Sequence, residues 1–331
     1  MRFRALGRSE IQVSALGLGC NNFGIIADTD ARAVIHKALD LGVNFFDTAD
    51  VYAHGRSEEI LGQILSGCRN DVILATKFGH PASVAPPDRP GSAAHIAKAL
   101  EASLKRLKTD RVDLYQMHFP DGTMPIEETF LALEKLIRQG KVRHIGCSNF
   151  SAEQIRDSEK AARSGDTVGF ASCQNEYSLL ARDAEAALLP AVRAFGMGFL
   201  PCFPLASGLL TGKYARDMAV SGSVRARVVR RFSERFCTDE NWKKLDKIMQ
   251  FCGARQLEMG QLAIAWLLAN PLVSSVIAGA TSVGQVEQNI GALTLPVAAE
   301  GLLSLDRLLC EQSAPSIVQP GEFREDVPCP M

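Results

Sequence analysis

A chain of 331 residues, 47% hydrophobic and 22% charged, can bury a large core and has the length of one barrel domain or two small ones. Its 36 Lys and Arg against 37 Asp and Glu leave a formal net charge of -1. No overall field therefore draws it to nucleic acid or an anionic membrane, and the expected partner is a small molecule, with a monomer as the default assembly.

The opening stretch MRFRALGRSEIQVSALGLG lacks the apolar core of a signal peptide, and no stretch of about eighteen uncharged apolar residues occurs, so a cytoplasmic address is expected. Nine cysteines, an odd number without any C-x-x-C pair, read as reduced and mostly buried thiols. The six histidines show neither H-E-x-x-H nor a cluster at ligand spacing, so no metal site is expected.

In chain order, residues 2–4 and 12–14 around Gly7-Arg8-Ser9 predict a hairpin that would cover the floor of a barrel. Short β-branched or aromatic runs then recur at residues 16–19, 44–48, 72–77, 112–118, 143–148, 170–175, 199–203 and 275–279. Residues 31–41, 57–65, 93–107, 126–139, 152–162 and 183–195 carry apolar side chains at i, i+3, i+4 and i+7, the pattern of amphipathic helices. Parallel strands joined by such crossovers need helices on the outside, and eight of these units close into a (β/α)8 TIM barrel. Two long loops interrupt the alternation, at residues 80–92 after the third strand and 213–237 after the seventh. No linker marks a boundary, so residues 1–331 are expected to form a single domain, with 313–331 as a packed or loosely ordered tail.

Barrel active sites gather at strand C-terminal ends, which makes polar residues closing apolar strands the first suspects. FFD ends with Asp47, LATK with Lys77 and YQMH with His118, while Tyr52 follows Asp47 in the adjoining loop. An ammonium beside a phenol lowers its pKa, so Lys77 is expected to make Tyr52 a proton donor near neutrality. Asp47 would hold that ammonium, and His118 would hydrogen-bond a carbonyl oxygen. None of the four is an obvious nucleophile or electron source, so a cofactor must bring the hydride. Taken singly, each has a plainer reading: a strand cap, a structural lysine, a core histidine, a packing aromatic. His36, His95 and His144 keep that plainer reading, and Gly17 and Gly19 lack the third glycine of a dinucleotide fingerprint.

The stretch GVNFFDTADVYAHGRSEEILG, with Lys77, the strands DLYQMH and IGCSN, and the segment GATSVGQVEQN, resembles the aldo-keto reductases from about Gly7 to Leu293. That resemblance implies an NAD(P)H-dependent oxidoreductase interconverting an aldehyde or ketone and its alcohol. Asp47, Tyr52, Lys77 and His118 match the family's catalytic tetrad, with Tyr52 as general acid and base. Ser148, Asn149 and Gln174 match positions that hold the nicotinamide carboxamide. Leu205, Ser207, Leu209, Thr211 and Lys213 match the loop over the pyrophosphate. The adenosine end would fall on Gly279, Thr281, Ser282, Gln285, Gln288 and Asn289.

Two departures from the family pattern carry expectations of their own. Cys202, followed by Phe203 and Pro204, stands where an aromatic usually stacks on the nicotinamide, so looser packing of that ring is expected. Residues 279–289 contain no Lys or Arg to pair with a 2′-phosphate, although Thr281 and Ser282 could cap a helix that accepts an anion, and Arg225, Arg227, Arg230 and Arg231 could lend charge. NADPH is the expected cofactor, with NADH an open alternative. Two other functions remain open from the residues alone: a Schiff-base lyase using Lys77 as nucleophile, and a nucleotide-binding regulatory subunit with little turnover.

Overall fold

The computed structural model describes residues 1–84, 88–214 and 236–310. Strands β1 (Phe3–Ala5) and β2 (Gln12–Ser14) pair antiparallel, with Arg4 opposite Val13. Eight parallel strands follow: β3 (Leu16–Gly19), β4 (Phe45–Asp47), β5 (Ile73–Phe78), β6 (Val112–Met117), β7 (Val142–Ser148), β8 (Ser172–Glu176), β9 (Gly198–Cys202) and β10 (Val276–Gly279). Each pairs with its sequence neighbour, and β10 pairs with β3. The ring closes between β9 and the approach to β10, where Phe199 N donates to Leu272 O at 3.0 Å and Ser274 N to Phe199 O at 2.9 Å. The expected (β/α)8 barrel with its N-terminal hairpin is thus what forms.

Helices α1 (Asp28–Asp40), α2 (Arg56–Leu65), α3 (Ala93–Leu107), α4 (Ile126–Arg138), α5 (Ala152–Ser164) and α6 (Leu188–Ala194) connect successive strands. Helices Asp239–Gly253, Met259–Ala269 and Val283–Gly291 complete the described part of the barrel unit. Their apolar stripes face the strands; α4, for example, buries Phe130, Leu133 and Leu136, which follow the helical repeat. The predicted helix over 183–195 breaks into a single turn at Asp183–Glu185 and the shorter α6. Pro190 sits in the first turn of α6, where its missing N–H needs no partner. The seventh barrel strand ends at Cys202, one residue early, because Phe203 turns to φ 53°.

The hairpin plugs the floor. Leu6, Ile11 and Val13 pack with Phe45, Ala75, Leu114, Leu200 and Ile277 from inside the barrel. Gly7, at φ 56°, permits this approach: a Cβ there would lie 2.3 Å from Gly198 N and 2.4 Å from Ala171 O.

The chain divides into a unit Met1–Pro296, which contains the barrel, and a unit Val297–Met331, whose described part holds the helix Ala299–Cys310. Most of the long loop predicted at 213–237 and the tail 313–331 lie outside the described residues, as do Arg225, Arg227, Arg230 and Arg231. No helix is long and apolar enough to cross a membrane among the described residues.

Candidate active site

The C-terminal ends of β4 and β5 and the residue after β6 bring Asp47, Lys77 and His118 to one mouth of the barrel. Lys77 Nζ is fully buried and lies 2.6 Å from Asp47 Oδ2; it also donates to Thr48 O at 2.9 Å and sits 3.4 Å from the Tyr52 hydroxyl. A desolvated ammonium is tolerated here because a carboxylate and a carbonyl replace its water shell. Asp47 is held from its other oxygen: Oδ1 accepts from Gln116 Nε2 at 2.9 Å and from Gln174 Nε2 at 3.1 Å.

Tyr52 reaches this group from a tight turn. Ala53, His54 and Gly55, which follow it, all have positive φ, at 47°, 54° and 89°. Left-handed backbone at two non-glycine residues in succession costs free energy that the surrounding packing must cover, and such turns concentrate at functional sites. The Tyr52 and His118 rings meet edge to face at 5.9 Å, so the four residues expected to converge do so.

The electrostatics differ from the sequence expectation in one respect. Burial pushes the Tyr52 phenol up to about 12, although Lys77 acts to lower it. The ammonium's pull is weakened because Asp47 lies against it and itself raises the phenol. For Lys77, burial works to neutralise the amine, but Asp47 and Tyr52 outweigh it and the net shift is upward. Burial, with Lys77 and His80 adding to it, lowers His118 to about 2, so its imidazole is neutral. His118 Nδ1 is buried without a partner.

The other expected positions lie around the same mouth. Ser148 ends β7, and its Oγ accepts from Asn149 Nδ2 at 3.2 Å; Asn149, at φ 61°, also donates to His118 O at 2.9 Å. Gln174 lies in β8 and Cys202 ends β9. After Cys202 the backbone takes positive φ at Phe203, Ala206, Ser207, Gly208 and Gly212. Pro204 and Leu209 are buried within this turn, Leu205 is half-buried, and Lys213 is exposed. Ser207 Oγ is buried without a partner.

Beyond Gly279, Ser282 caps the helix Val283–Gly291, its Oγ accepting from Gln285 N. Gln285 Oε1 turns back to accept from Thr281 N at 2.8 Å and Thr281 Oγ1 at 3.0 Å. Asn289 Nδ2 reaches Gly279 O at 3.4 Å, and Gln288 is exposed on the same helix.

Sequence reasoning overlooked Gln116 and Glu58. Gln116 precedes His118 by two residues, so strand alternation puts both on the inner face; that period was the available signal. Glu58 in α2 is fully buried, accepting from Thr76 Oγ1 and Arg106 Nε at 2.6 Å each, and braces the strand that carries Lys77. A glutamate in an amphipathic helix reads as solvent-facing, so nothing in the sequence marked it.

A (β/α)8 barrel whose mouth holds an ion-paired lysine, a buried phenol and a neutral imidazole is the frame of an acid–base enzyme without a nucleophile of its own. The model of the aldo/keto reductase family matches residues 15–309. The chain is 39% identical over 300 residues to a probable voltage-gated potassium channel subunit beta of Oryza sativa, covering 88% of this chain and 91% of the relative. An uncharacterized oxidoreductase of Bacillus subtilis is 36% identical over 321 residues, covering 92% and 95%. The chain belongs to the aldo/keto reductase family, a family of NAD(P)H-dependent oxidoreductases.

Proposed function

We propose that the protein interconverts an aldehyde or ketone and its alcohol at the expense of a nicotinamide nucleotide, with Tyr52 as the proton donor to the carbonyl oxygen. The observation that carries this reading is the Tyr52 hydroxyl 3.4 Å from an ammonium that Asp47 fixes at 2.6 Å. When bound, the reduced nicotinamide supplies the hydride.

The residues present fit such a nucleotide. Successive left-handed turns at Phe203–Gly212 set backbone N–H groups into a concave run of the kind that receives a pyrophosphate, and Ser207 Oγ is a buried group still lacking a partner there. Ser148, Asn149 and Gln174 would hold the carboxamide, Cys202, Phe203 and Pro204 would border the ring, and Leu205, Ser207, Leu209 and Lys213 would lie over the phosphates. Gly279, Thr281, Ser282, Gln285, Gln288 and Asn289 would take the adenosine end. NADPH is the cofactor proposed, and NADH the alternative.

A phenol held up at about 12 remains protonated at neutral pH, the form a proton donor must have. As the carbonyl oxygen gains charge it becomes far more basic than a phenolate, so the proton moves from Tyr52 to it. Lys77 then stabilises the phenolate left behind, while Asp47 keeps Lys77 from shifting toward it. Neutral His118 orients the carbonyl without competing for the proton. The same ion pair weighs against the Schiff-base reading, since a lysine kept as an ammonium has no lone pair to attack with. A regulatory reading with little turnover is favoured by the printed names of the rice relative and of an Arabidopsis thaliana one, also 39% identical.

Reduction of 4-nitrobenzaldehyde with NADPH and with NADH tests the proposal. Turnover is expected in the wild type, and Tyr52→Phe should lower it by about three orders of magnitude while nucleotide affinity, read by fluorescence titration, stays within a few-fold. Nucleotide binding with no turnover in the wild type would replace this reading by the regulatory one.

A further inference from the structure

We infer that His80 sets substrate choice, presenting a second hydrogen-bond donor beside the carbonyl site and so favouring carbonyl compounds that bear a neutral oxygen on the adjacent carbon. The inference rests on the proposed reductase activity and names the substrate class of that same site.

His80 lies just past β5, in the loop that follows Lys77. Its ring meets His118 edge to face at 4.9 Å and Phe119 at 5.2 Å, and Phe119 in turn stacks on His118 at 5.3 Å. Tyr52, His118 and His80 therefore form a row of rings along one wall of the mouth. A tight turn holds His80 in place. Its carbonyl accepts from Ser83 N at 2.8 Å and from Ser83 Oγ at 3.0 Å, and its Nδ1 accepts from Ala82 N at 3.0 Å. The preceding Gly79, at φ 77°, starts the turn with Pro90 packed close behind it.

The bond from Ala82 fixes the tautomer. Nδ1 can accept an N–H only when it carries no proton, so the proton of the neutral ring sits on Nε2, on the side away from the turn. Partial burial lowers the imidazole's pKa, which keeps the ring neutral at physiological pH. A neutral N–H donor recognises a hydroxyl or carbonyl oxygen; it offers no charge to hold a carboxylate. With the reacting oxygen at Tyr52 and His118, the adjacent ring is placed for an oxygen one carbon further along. The class is therefore α-hydroxy and α-oxo aldehydes and ketones. A site built to donate to that oxygen should also penalise substrates that lack it, because the donor is then left unpaired.

The test compares 2,3-butanedione with butanal in the wild type, His80→Leu and His80→Gln. Each variant is read as a ratio of kcat/KM values, so the intrinsic reactivity of the two carbonyls cancels. His80→Leu should lower the dione-to-butanal ratio by about tenfold, mostly through KM for the dione, with butanal turnover nearly unchanged; His80→Gln, which keeps a donor, should hold the ratio within about threefold of wild type. Nitrogen-15 imidazole spectra of the wild type should show His80 as the Nε2–H tautomer. An unmoved ratio, an equal loss on both substrates, or an Nδ1–H tautomer would overturn the inference while leaving the reductase reading intact. Turnover of neither substrate by the wild type would overturn both.

Discussion

At the floor of the barrel the hairpin buries Leu6, Ile11 and Val13 against strand interiors, and Glu10, His144, Arg143, Asp113 and Arg69 tie its polar rim together in ion pairs of 2.7 to 3.2 Å. At the mouth the backbone is contorted instead. Of the nine non-glycine residues with positive φ among the described residues, Ala53, His54, Asn149, Phe203, Ala206 and Ser207 stand there; Lys108, Asp166 and Gln256 merely follow helix ends. His118 Nδ1, Ser207 Oγ and Gln116 Oε1 are buried at or beneath that mouth without partners. The two ends share one sheet yet divide its tasks: local strain and unmet polar groups collect where a ligand would satisfy them, and the floor supplies the stability that tolerates them.

The comparison breaks first if the mouth can be altered without loss of chemistry. Lys77→Met should abolish turnover, by about three orders of magnitude or more, and destabilise the fold by about 3–5 kcal/mol because it strands Asp47 as a buried unpaired charge. Adding Asp47→Asn should return much of the stability, read by urea denaturation, and none of the activity; recovery of activity would remove Lys77 from the proposed mechanism. At the other end, Gly7→Val should cost about 3 kcal/mol or more, since its side chain would meet backbone atoms 2.3 and 2.4 Å from Cβ in a left-handed conformation. Activity per folded molecule should stay unchanged, as measured by kcat on the fraction that survives at low temperature. A floor mutation that lowers kcat would show the two ends to be coupled.

How much of this was legible follows the same division. Period-two and 3.6-residue patterning exposed the alternating strands and helices, because a parallel barrel buries its strands whole and stripes its helices, and strand ends closing on Asp47, Lys77 and His118 exposed the site. Gln116 and Glu58 escaped, since a polar residue's burial depends on partners distant in the chain: Gln116 meets Asp47 across 69 positions, and Arg106 reaches Glu58 across 48. The direction of the Tyr52 shift was misjudged for a related reason. Sequence shows which charge is near a phenol but gives no measure of how much water the fold removes from it.

Acid should reveal the mouth in the stability of the fold. His118 falls from about 6.5 in the unfolded chain to about 2 in the native one, so the stabilisation linked to its neutrality is fully present above pH 6.5 and is lost as pH drops toward 2. By pH 5 the loss from this residue should be about 2 kcal/mol. Asp50, raised to about 6 by burial and by Glu58, acts in the opposite sense over part of that range, favouring the fold as it takes up a proton. Glu10, lowered to about 2 mainly by its hydrogen bond to His144, weakens the floor only below about pH 4.5. Urea midpoints of wild type and His118→Phe between pH 7 and 5 isolate the imidazole, and the variant should lose that share of the slope. Parallel slopes would show that His118 is solvated enough to titrate normally.

The smallest effect sharpens the comparison most. Gln116 Nε2 is 2.9 Å from Asp47 Oδ1, so it acts on the proton donor only through Asp47 and Lys77. Gln116→Leu keeps the side chain's approximate size and removes both a donor to the carboxylate and an acceptor that has no partner, so the net cost to stability should fall within about 1 kcal/mol. Asp47 would then be less firmly held, leaving Lys77 freer to move and the phenol less well matched to its ammonium. Turnover should fall about tenfold with KM for the carbonyl nearly unchanged, and the alkaline limb of the kcat profile should shift. Gln116→Glu should be far worse, since it sets a second carboxyl against Asp47. A kcat and pH profile identical to wild type in Gln116→Leu would mean that the Asp47–Lys77 pair positions itself, and that the mouth depends on fewer residues than its hydrogen bonds suggest.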